Sequence, residues 1–76
     1  MKVLLTADAE KQFSKQLKSE RNKLAKKLSQ LKENPLSGKK LSGEYKGERS
    51  LRAWPYRNIY IINMDQEEVV VLAILH

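Results

Sequence analysis

The hydrophobic positions in the first half of the chain predict one short strand followed by two helices. Residues 3–5 form an apolar run that is typical of an initial strand. Thr6 follows as the predicted N-cap of the first helix, and Ser19 as that of the second. Each helix has one apolar stripe with helical spacing: Ala9, Phe13 and Leu17 in the first, and Leu24, Ala25, Leu28 and Leu31 in the second. Pro35 ends the second helix, because proline disfavours a helical residue before it. Two helices separated by a few residues predict an antiparallel hairpin.

The second half of the chain has the pattern of a sheet. Residues 35–47 are rich in glycine and serine and predict a turn-rich connection. From residue 48 to residue 54 the chain alternates with a period of two, and Trp54-Pro55 then marks a tight turn. Residues 56–64 and 68–75 are the most β-prone segments, joined by a hairpin turn at residues 65–67. We therefore predict the order β-α-α-β-β-β in a single domain of residues 1–76. The fold class is α+β, with a helical hairpin on one face of a small, mostly antiparallel sheet.

The last predicted strand is apolar on both of its faces. With strict alternation, Val69, Val71, Ala73 and Leu75 share one face, and Val70, Leu72 and Ile74 share the other, which His76 continues. One helical hairpin covers only one face of a sheet. Either the strand is central and the curvature of the sheet buries part of its second face, or a partner chain or a further segment covers that face.

Composition excludes several classes of site. The chain of 76 residues has no cysteine and one histidine, so neither a disulfide framework nor a cysteine- or multi-histidine-ligated metal is expected. The longest apolar run, residues 69–75, is far shorter than the ~20 residues of a transmembrane helix. We expect a soluble intracellular protein with no cofactor, no metal and no membrane contact.

The net charge of +6 indicates an anionic partner, either nucleic acid or an acidic protein. All 15 lysines and arginines lie within residues 1–57, so the basic character stops abruptly at Arg57. Arginines near the predicted hairpin could bind phosphate through paired, charge-assisted hydrogen bonds. The alternative is a solvated basic strand whose arginine stems pack on aromatic rings.

Two further groups of residues carry candidate chemistry. His76 alone has a side chain that ordinarily titrates near neutral pH, which suits a general acid or base, although a terminal residue often frays. Trp54, Tyr56 and Tyr60 either stack on nucleic-acid bases or pack in the core.

Residues 41–60 resemble the RelE/ParE toxin superfamily. The likeness is carried by the pattern R-x-L-R-x-x-x-Y-R-x-x-Y, which begins at Arg49, and by the hydrophobic strand that ends at His76. The resemblance implies a cytoplasmic toxin of a type II toxin–antitoxin module, bound by a cognate antitoxin. One branch of the superfamily cleaves mRNA on the ribosome, where the ribose 2′-hydroxyl attacks the adjacent phosphate. The ParE-like branch inhibits DNA gyrase instead.

The nuclease branch is the first expectation for this chain. The resemblance implies Arg57, Arg52, Arg49 and His76 as catalytic residues. With a nuclease of this kind, we expect Lys39, Lys40, Lys46 and Tyr56 to be RNA contacts. RelE-like enzymes carry lysines where this chain has Glu48 and Ser50, and only Glu44 or Glu48 offers a general base. Two alternatives therefore stay open: a gyrase inhibitor, and a non-catalytic remnant that acts through antitoxin binding and transcriptional autoregulation.

Overall fold

Two helices lie against one face of a five-stranded sheet in the computed structural model, which describes residues 1–43 and 47–76. This architecture confirms the predicted α+β class. The structure adds a 3-10 turn and a two-residue strand that the sequence pattern does not predict. The elements are β1 (Lys2–Leu5), α1 (Ala7–Ser14), α2 (Lys18–Glu33), a 3-10 helix (Pro35–Ser37), β2 (Lys39–Lys40), β3 (Arg49–Ala53), β4 (Tyr56–Asn63) and β5 (Glu68–Leu75).

The strands are ordered β1-β5-β4-β3-β2. β1 pairs with β5 in parallel, and the other neighbouring pairs are antiparallel, as predicted. β5 and β4 are therefore central strands, although the helices cover only one of their faces. Within the described residues, no helix is long and apolar enough to cross a membrane.

The core lies between the helices and the sheet. Leu24 and Leu31 of α2 are fully buried there against Tyr60 and other side chains of the central strands. Phe13 and Leu28 pack on the edge of this core and are half-buried. Leu17 departs from the prediction, since 76% of its surface is exposed. Ala25, also assigned to the apolar stripe, is likewise exposed.

The junction between the helices explains the position of Leu17. Thr6 caps α1 as predicted, because its hydroxyl accepts a hydrogen bond from the backbone N–H of Ala9 at 3.2 Å. α1 ends at Ser14, one turn earlier than the apolar spacing suggests. Leu17 is itself the N-cap of α2, without a side-chain capping bond, and the predicted cap Ser19 lies inside that helix.

A β-bulge changes the faces of β5. Tyr60 of β4 lies opposite Val71, but the preceding residue, Ile59, lies opposite Ala73, so Leu72 is an extra residue on β5. Beyond this point the alternation reverses, and Ile74 joins Val71 on the helix-covered face. The prediction that Ala73 and Leu75 share a face with Val69 and Val71 is therefore wrong, because it assumed uninterrupted alternation.

Two side chains, those of the α1 N-cap and of a residue within α1, form hydrogen bonds to the backbone of β5 at and beyond the bulge. β1 ends beside Val71, so β5 continues beyond it without a strand on that side. The Thr6 hydroxyl donates to the carbonyl of Leu72 at 2.9 Å, and the backbone N–H of Ile74 donates to Gln12 Oε1 at 2.7 Å. These bonds replace ladder bonds and fix the strand that leads to His76.

Candidate nucleic-acid interface

Arg52 and Arg57 face each other across the β3–β4 hairpin. They form a cross-strand pair next to Ala53 and Tyr56, the pair that closes the turn. Both arginines are exposed on the open face, by which we mean the face of the sheet that the helices do not cover. Like charges directly opposite each other are unfavourable in a sheet. The ion pair found among the described residues joins Lys23 to Glu20, so neither arginine has a carboxylate partner there. An anion between the two guanidinium groups would relieve the repulsion.

Two shallow clefts meet at this arginine pair. The first, of about 450 Å³, is lined by Arg52, Trp54, Pro55, Tyr56, Arg57, Leu75 and His76. The second, of about 570 Å³, extends from the same arginines to β2 and is lined also by Ser37, Lys39, Lys40, Leu41, Ser42, Ser50 and Leu51. Neither cleft has an aspartate or glutamate in its lining as far as the described residues show. The structure therefore brings Arg52, Arg57 and His76 together, with Lys39 and Lys40 alongside.

His76 stands at the end of the first cleft, against the ring of Tyr56. The two ring centroids are 5.4 Å apart in an edge-to-face arrangement with an interplanar angle of 77°. The Tyr56 hydroxyl donates a hydrogen bond to Gln16 Oε1 at 2.9 Å, which fixes the tyrosine ring from α1. Tyr56 is buried, with 7% of its surface exposed. Its ring thus supports His76 and offers little area on which an RNA base could stack, contrary to the role that the resemblance implies.

Arg49 lies on the opposite face of β3 from Arg52. Its guanidinium Nη1 donates to the carbonyl of Gly38 at 2.9 Å, and its backbone pairs with Tyr60. The Tyr60 hydroxyl donates to the carbonyl of Pro35 at 2.7 Å and accepts from the N–H of Gly38 at 2.9 Å. We call Arg49, Tyr60 and Gly38 the anchor. It holds the segment that leads into β2, and so it sets the position of Lys39 beside Ser50.

Burial of Tyr60 raises the pKa of its phenol above the ordinary value of 10.0. The hydrogen bond from Gly38 and the positive charge of Arg49 act in the opposite direction but do not cancel this effect. The phenol therefore stays protonated and keeps its donor bond to Pro35 across the physiological pH range. Arg49 is engaged in this anchor, and the structure does not bring it to the clefts that contain Arg52, Arg57 and His76.

Three other residues considered for the site do not line the two clefts or lie outside the residues that the structure describes. Glu48 precedes β3, at the opposite end of that strand from Arg52, and lines neither cleft. Lys46 and Glu44 lie outside the described residues. The described residues contain no group of three or more His, Cys, Asp or Glu that could hold a metal ion.

Trp54, for which the sequence predicts either base stacking or core packing, is the exposed aromatic residue of the first cleft, with 73% of its surface accessible. Tyr60, the third aromatic considered, is fully buried. The signal was present in the alternation along β3. Ser50 and Arg52 point to the open face, so Trp54, two residues further, is expected to do so as well.

Comparison with known proteins decides the family. The model of the family described as the ParE toxin of type II toxin–antitoxin systems matches residues 3–76, almost the whole chain. The chain belongs to this RelE/ParE family of toxins. A search of curated proteins finds no match.

Solved structures with the same fold are toxins of this kind. The toxin resembles a chain of the RelBE2 toxin–antitoxin complex from Mycobacterium tuberculosis, with a TM-score of 0.90 and 28% identity over 99% of this chain and 95% of that chain. It also resembles a chain of the intact RelBE toxin–antitoxin complex from E. coli, with a TM-score of 0.82 and 26% identity over 97% and 93% of the two chains. The YoeB/ParE toxin from Agrobacterium tumefaciens shares the fold at 19% identity, with a TM-score of 0.84 and coverage of 100% and 99%.

Proposed function

We propose that this toxin is a ribosome-dependent mRNA endonuclease that acts in the cytoplasm. The observation that supports the proposal best is the cleft at the Trp54-Pro55 end of the sheet, which Arg52, Arg57 and His76 line together. Two guanidinium groups and one imidazole supply phosphate binding and proton transfer for cleavage of a phosphodiester by its own 2′-hydroxyl. The guanidinium groups stabilise charge on phosphate, and the imidazole transfers a proton.

The proposed reaction forms one bond and breaks one bond at phosphorus. The ribose 2′-oxygen attacks the adjacent phosphate, its proton passes to a water molecule, and a pentacovalent phosphorane develops. Arg57, supported by Arg52, binds the non-bridging oxygens, where negative charge accumulates. The bond from phosphorus to the 5′-oxygen then breaks, and His76 protonates that oxygen. The products are a 2′,3′-cyclic phosphate and a free 5′-hydroxyl end.

Binding to the ribosome is supported by the charge of the chain. Its net charge of +6 attracts the phosphates of ribosomal RNA and speeds association at low ionic strength. In this proposal Lys39 and Lys40, which line the second cleft, contact the RNA backbone next to the reacting phosphate. Lys46, outside the described residues, stays a predicted RNA contact.

A cognate antitoxin is the proposed protein partner. The solved relatives from M. tuberculosis and E. coli are toxin–antitoxin complexes. On the open face, Leu4 and Leu75 are exposed, and Ile59, Ile61 and Val70 between them are only half-buried. A partner that covers this face with apolar side chains and places acidic side chains near Arg52 would suit both surfaces. Amide exchange tests the contact: if the antitoxin does not slow exchange anywhere in residues 49–76, the partner binds elsewhere.

Inhibition of DNA gyrase is the second candidate function, and the matching family model favours it because that model describes ParE toxins. The two functions separate in one experiment. The chain is expressed in bacteria, and mRNA 5′ ends are mapped while plasmid DNA is examined for breaks and altered supercoiling. Cleavage within translated codons supports the nuclease, and gyrase-dependent DNA breaks without mRNA cleavage support the alternative.

Two variants make this experiment specific. Arg57→Ala removes the proposed phosphate contact and should abolish both mRNA cleavage and growth inhibition. Lys26→Ala removes one exposed positive charge from α2, which covers the other face of the sheet, and should leave both unchanged. If the folded Arg57→Ala chain cleaves mRNA as fast as the unsubstituted chain, the proposed role of the arginine pair is wrong.

A further inference from the structure

Trp54 has a placement that core packing does not explain. It lies in the turn between β3 and β4, with most of its surface exposed, and it lines the first cleft together with Arg52, Arg57 and His76. An exposed tryptophan forfeits the stabilisation that burial of a large apolar side chain provides. Its presence beside the arginine pair therefore indicates that the first cleft binds a molecule with a flat apolar surface.

The backbone of Trp54 is held firmly. The pair Ala53–Tyr56 closes the hairpin on either side of the turn, and Pro55 restricts the backbone of Trp54, the residue before it. From α2, Lys23 Nζ donates a hydrogen bond to the carbonyl of Trp54 at 3.0 Å. The indole is therefore presented from a fixed turn, so an occupant meets a preorganised surface and loses little entropy in ordering it.

The charges around the ring favour an anionic occupant. Arg52 precedes Trp54 by two residues, and the two side chains line the same cleft. Arg57 stands across the hairpin from Arg52, and the lining that the structure describes contains no aspartate or glutamate. A polyanion that carries flat apolar rings next to its phosphates satisfies both features at once, and a single-stranded nucleic acid is such a molecule.

We propose that Trp54 stacks on a base of single-stranded RNA next to the phosphate bound by Arg52 and Arg57. The inference rests on the proposed nuclease function and adds a base-binding residue to it. Only an unpaired base can lie flat on the indole, so the site selects single strands over duplexes. Stacking on an aromatic ring tolerates all four bases, so Trp54 strengthens binding and positions the strand without fixing its sequence.

The single tryptophan of the chain makes a direct test possible. Its fluorescence reports position 54 alone and is followed while RNA oligonucleotides are added at low ionic strength. The RNA carries 2′-O-methyl groups, which remove the attacking hydroxyl and prevent cleavage. We expect the single strand to quench the emission. A duplex of the same sequence, or a strand that lacks its bases, should quench it far less.

Variants separate stacking from general apolar contact. Binding of fluorescein-labelled single-stranded RNA, measured by anisotropy, should weaken about 5- to 150-fold in Trp54→Leu, the effect expected for loss of one stacked base. Trp54→Phe keeps an aromatic ring and should lose less. Met64→Ala truncates another side chain of high exposure, 69%, beyond the far end of β4, and should leave affinity unchanged. Melting temperatures confirm that each variant is folded.

The possible failures are distinguishable. Equal RNA affinity of the unsubstituted chain and Trp54→Leu overturns the inference, and if Arg57→Ala still weakens binding, the proposed function stands. If neither substitution changes RNA binding, or if the chain binds no RNA, the inference and the proposed function both fail. A shift of Trp54 emission on addition of purified gyrase but not of RNA assigns the residue to a protein contact and also overturns the inference.

Discussion

Gly38→Ala tests the anchor that positions β2. Gly38 is buried, and a Cβ added there would lie 2.6 Å from Cε1 and 2.9 Å from Cζ of Tyr60, with the phenol oxygen closer still. The ring has no room to retreat, because Tyr60 is fully buried and its hydroxyl is bonded to Pro35. Overpacking of this kind costs about 1–3 kcal/mol. In a domain of this size, such a loss lowers the melting temperature by roughly 4–24 °C.

Urea unfolding measures the stability lost in Gly38→Ala, and the same substitution in a Tyr60→Leu chain shows whether Tyr60 causes the loss. The free energy of unfolding should fall in Gly38→Ala with an unchanged dependence on urea. In Tyr60→Leu the ring is gone, so the additional loss caused by Gly38→Ala should shrink, giving a non-additive double-mutant cycle. A loss below about 0.5 kcal/mol when Gly38→Ala is made in the otherwise unsubstituted chain would refute the close contact. Equal losses in both backgrounds would refute Tyr60 as its cause.

Further predictions concern the core, the phenol and catalysis. Leu31→Ala should lower the free energy of unfolding by about 2–5 kcal/mol, and Leu17→Ala by less than about 0.5 kcal/mol. Urea unfolding measures both, and an equal loss in the two variants would contradict the assigned core. The pKa of Tyr60 is raised in the folded chain, so the phenol of the unfolded chain loses its proton at a lower pH. The free energy of unfolding should therefore fall as pH rises above about 10, and it should fall less in Tyr60→Phe. Parallel plots of this free energy against pH for the two chains would contradict the prediction. In single-turnover cleavage, Arg57→Ala should be about 10²–10³-fold slower and His76→Ala no more than about 10²-fold slower. Both variants should keep a normal melting temperature. A larger rate loss in His76→Ala than in Arg57→Ala would contradict the roles assigned.

The elements of the fold could be predicted from local patterns, since each depends on neighbouring residues. Thr6 caps α1 through its own hydroxyl, and the alternation along β3 is continuous. The bulge at Leu72 could not be predicted, because it depends on Thr6 and Gln12, more than 60 residues away. The exposure of Leu17 likewise reflects the early end of α1, which the apolar spacing alone does not show.

The candidate site could be predicted in part for the same reason. The short turn at Trp54-Pro55 places Arg52 opposite Arg57, and a turn is a local signal. Arg49 is different, because its partner Gly38 lies 11 residues earlier and Tyr60 joins them from another strand. Sequence alone therefore grouped three arginines that the structure divides between two faces. The contact of His76 with Tyr56 also depends on the final packing.

Cleavage of a defined mRNA on ribosomes by the purified chain tests the central claim most directly. The mRNA carries either ribose or a single 2′-deoxyribose at the codon that is cut, and the new ends are analysed chemically. The account predicts a 2′,3′-cyclic phosphate and a 5′-hydroxyl from the ribose substrate, and no cut at the deoxyribose position. It also predicts loss of cleavage in Arg57→Ala. Cleavage of the deoxyribose substrate, or intact mRNA throughout with inhibition of purified gyrase by the same chain, would contradict the account.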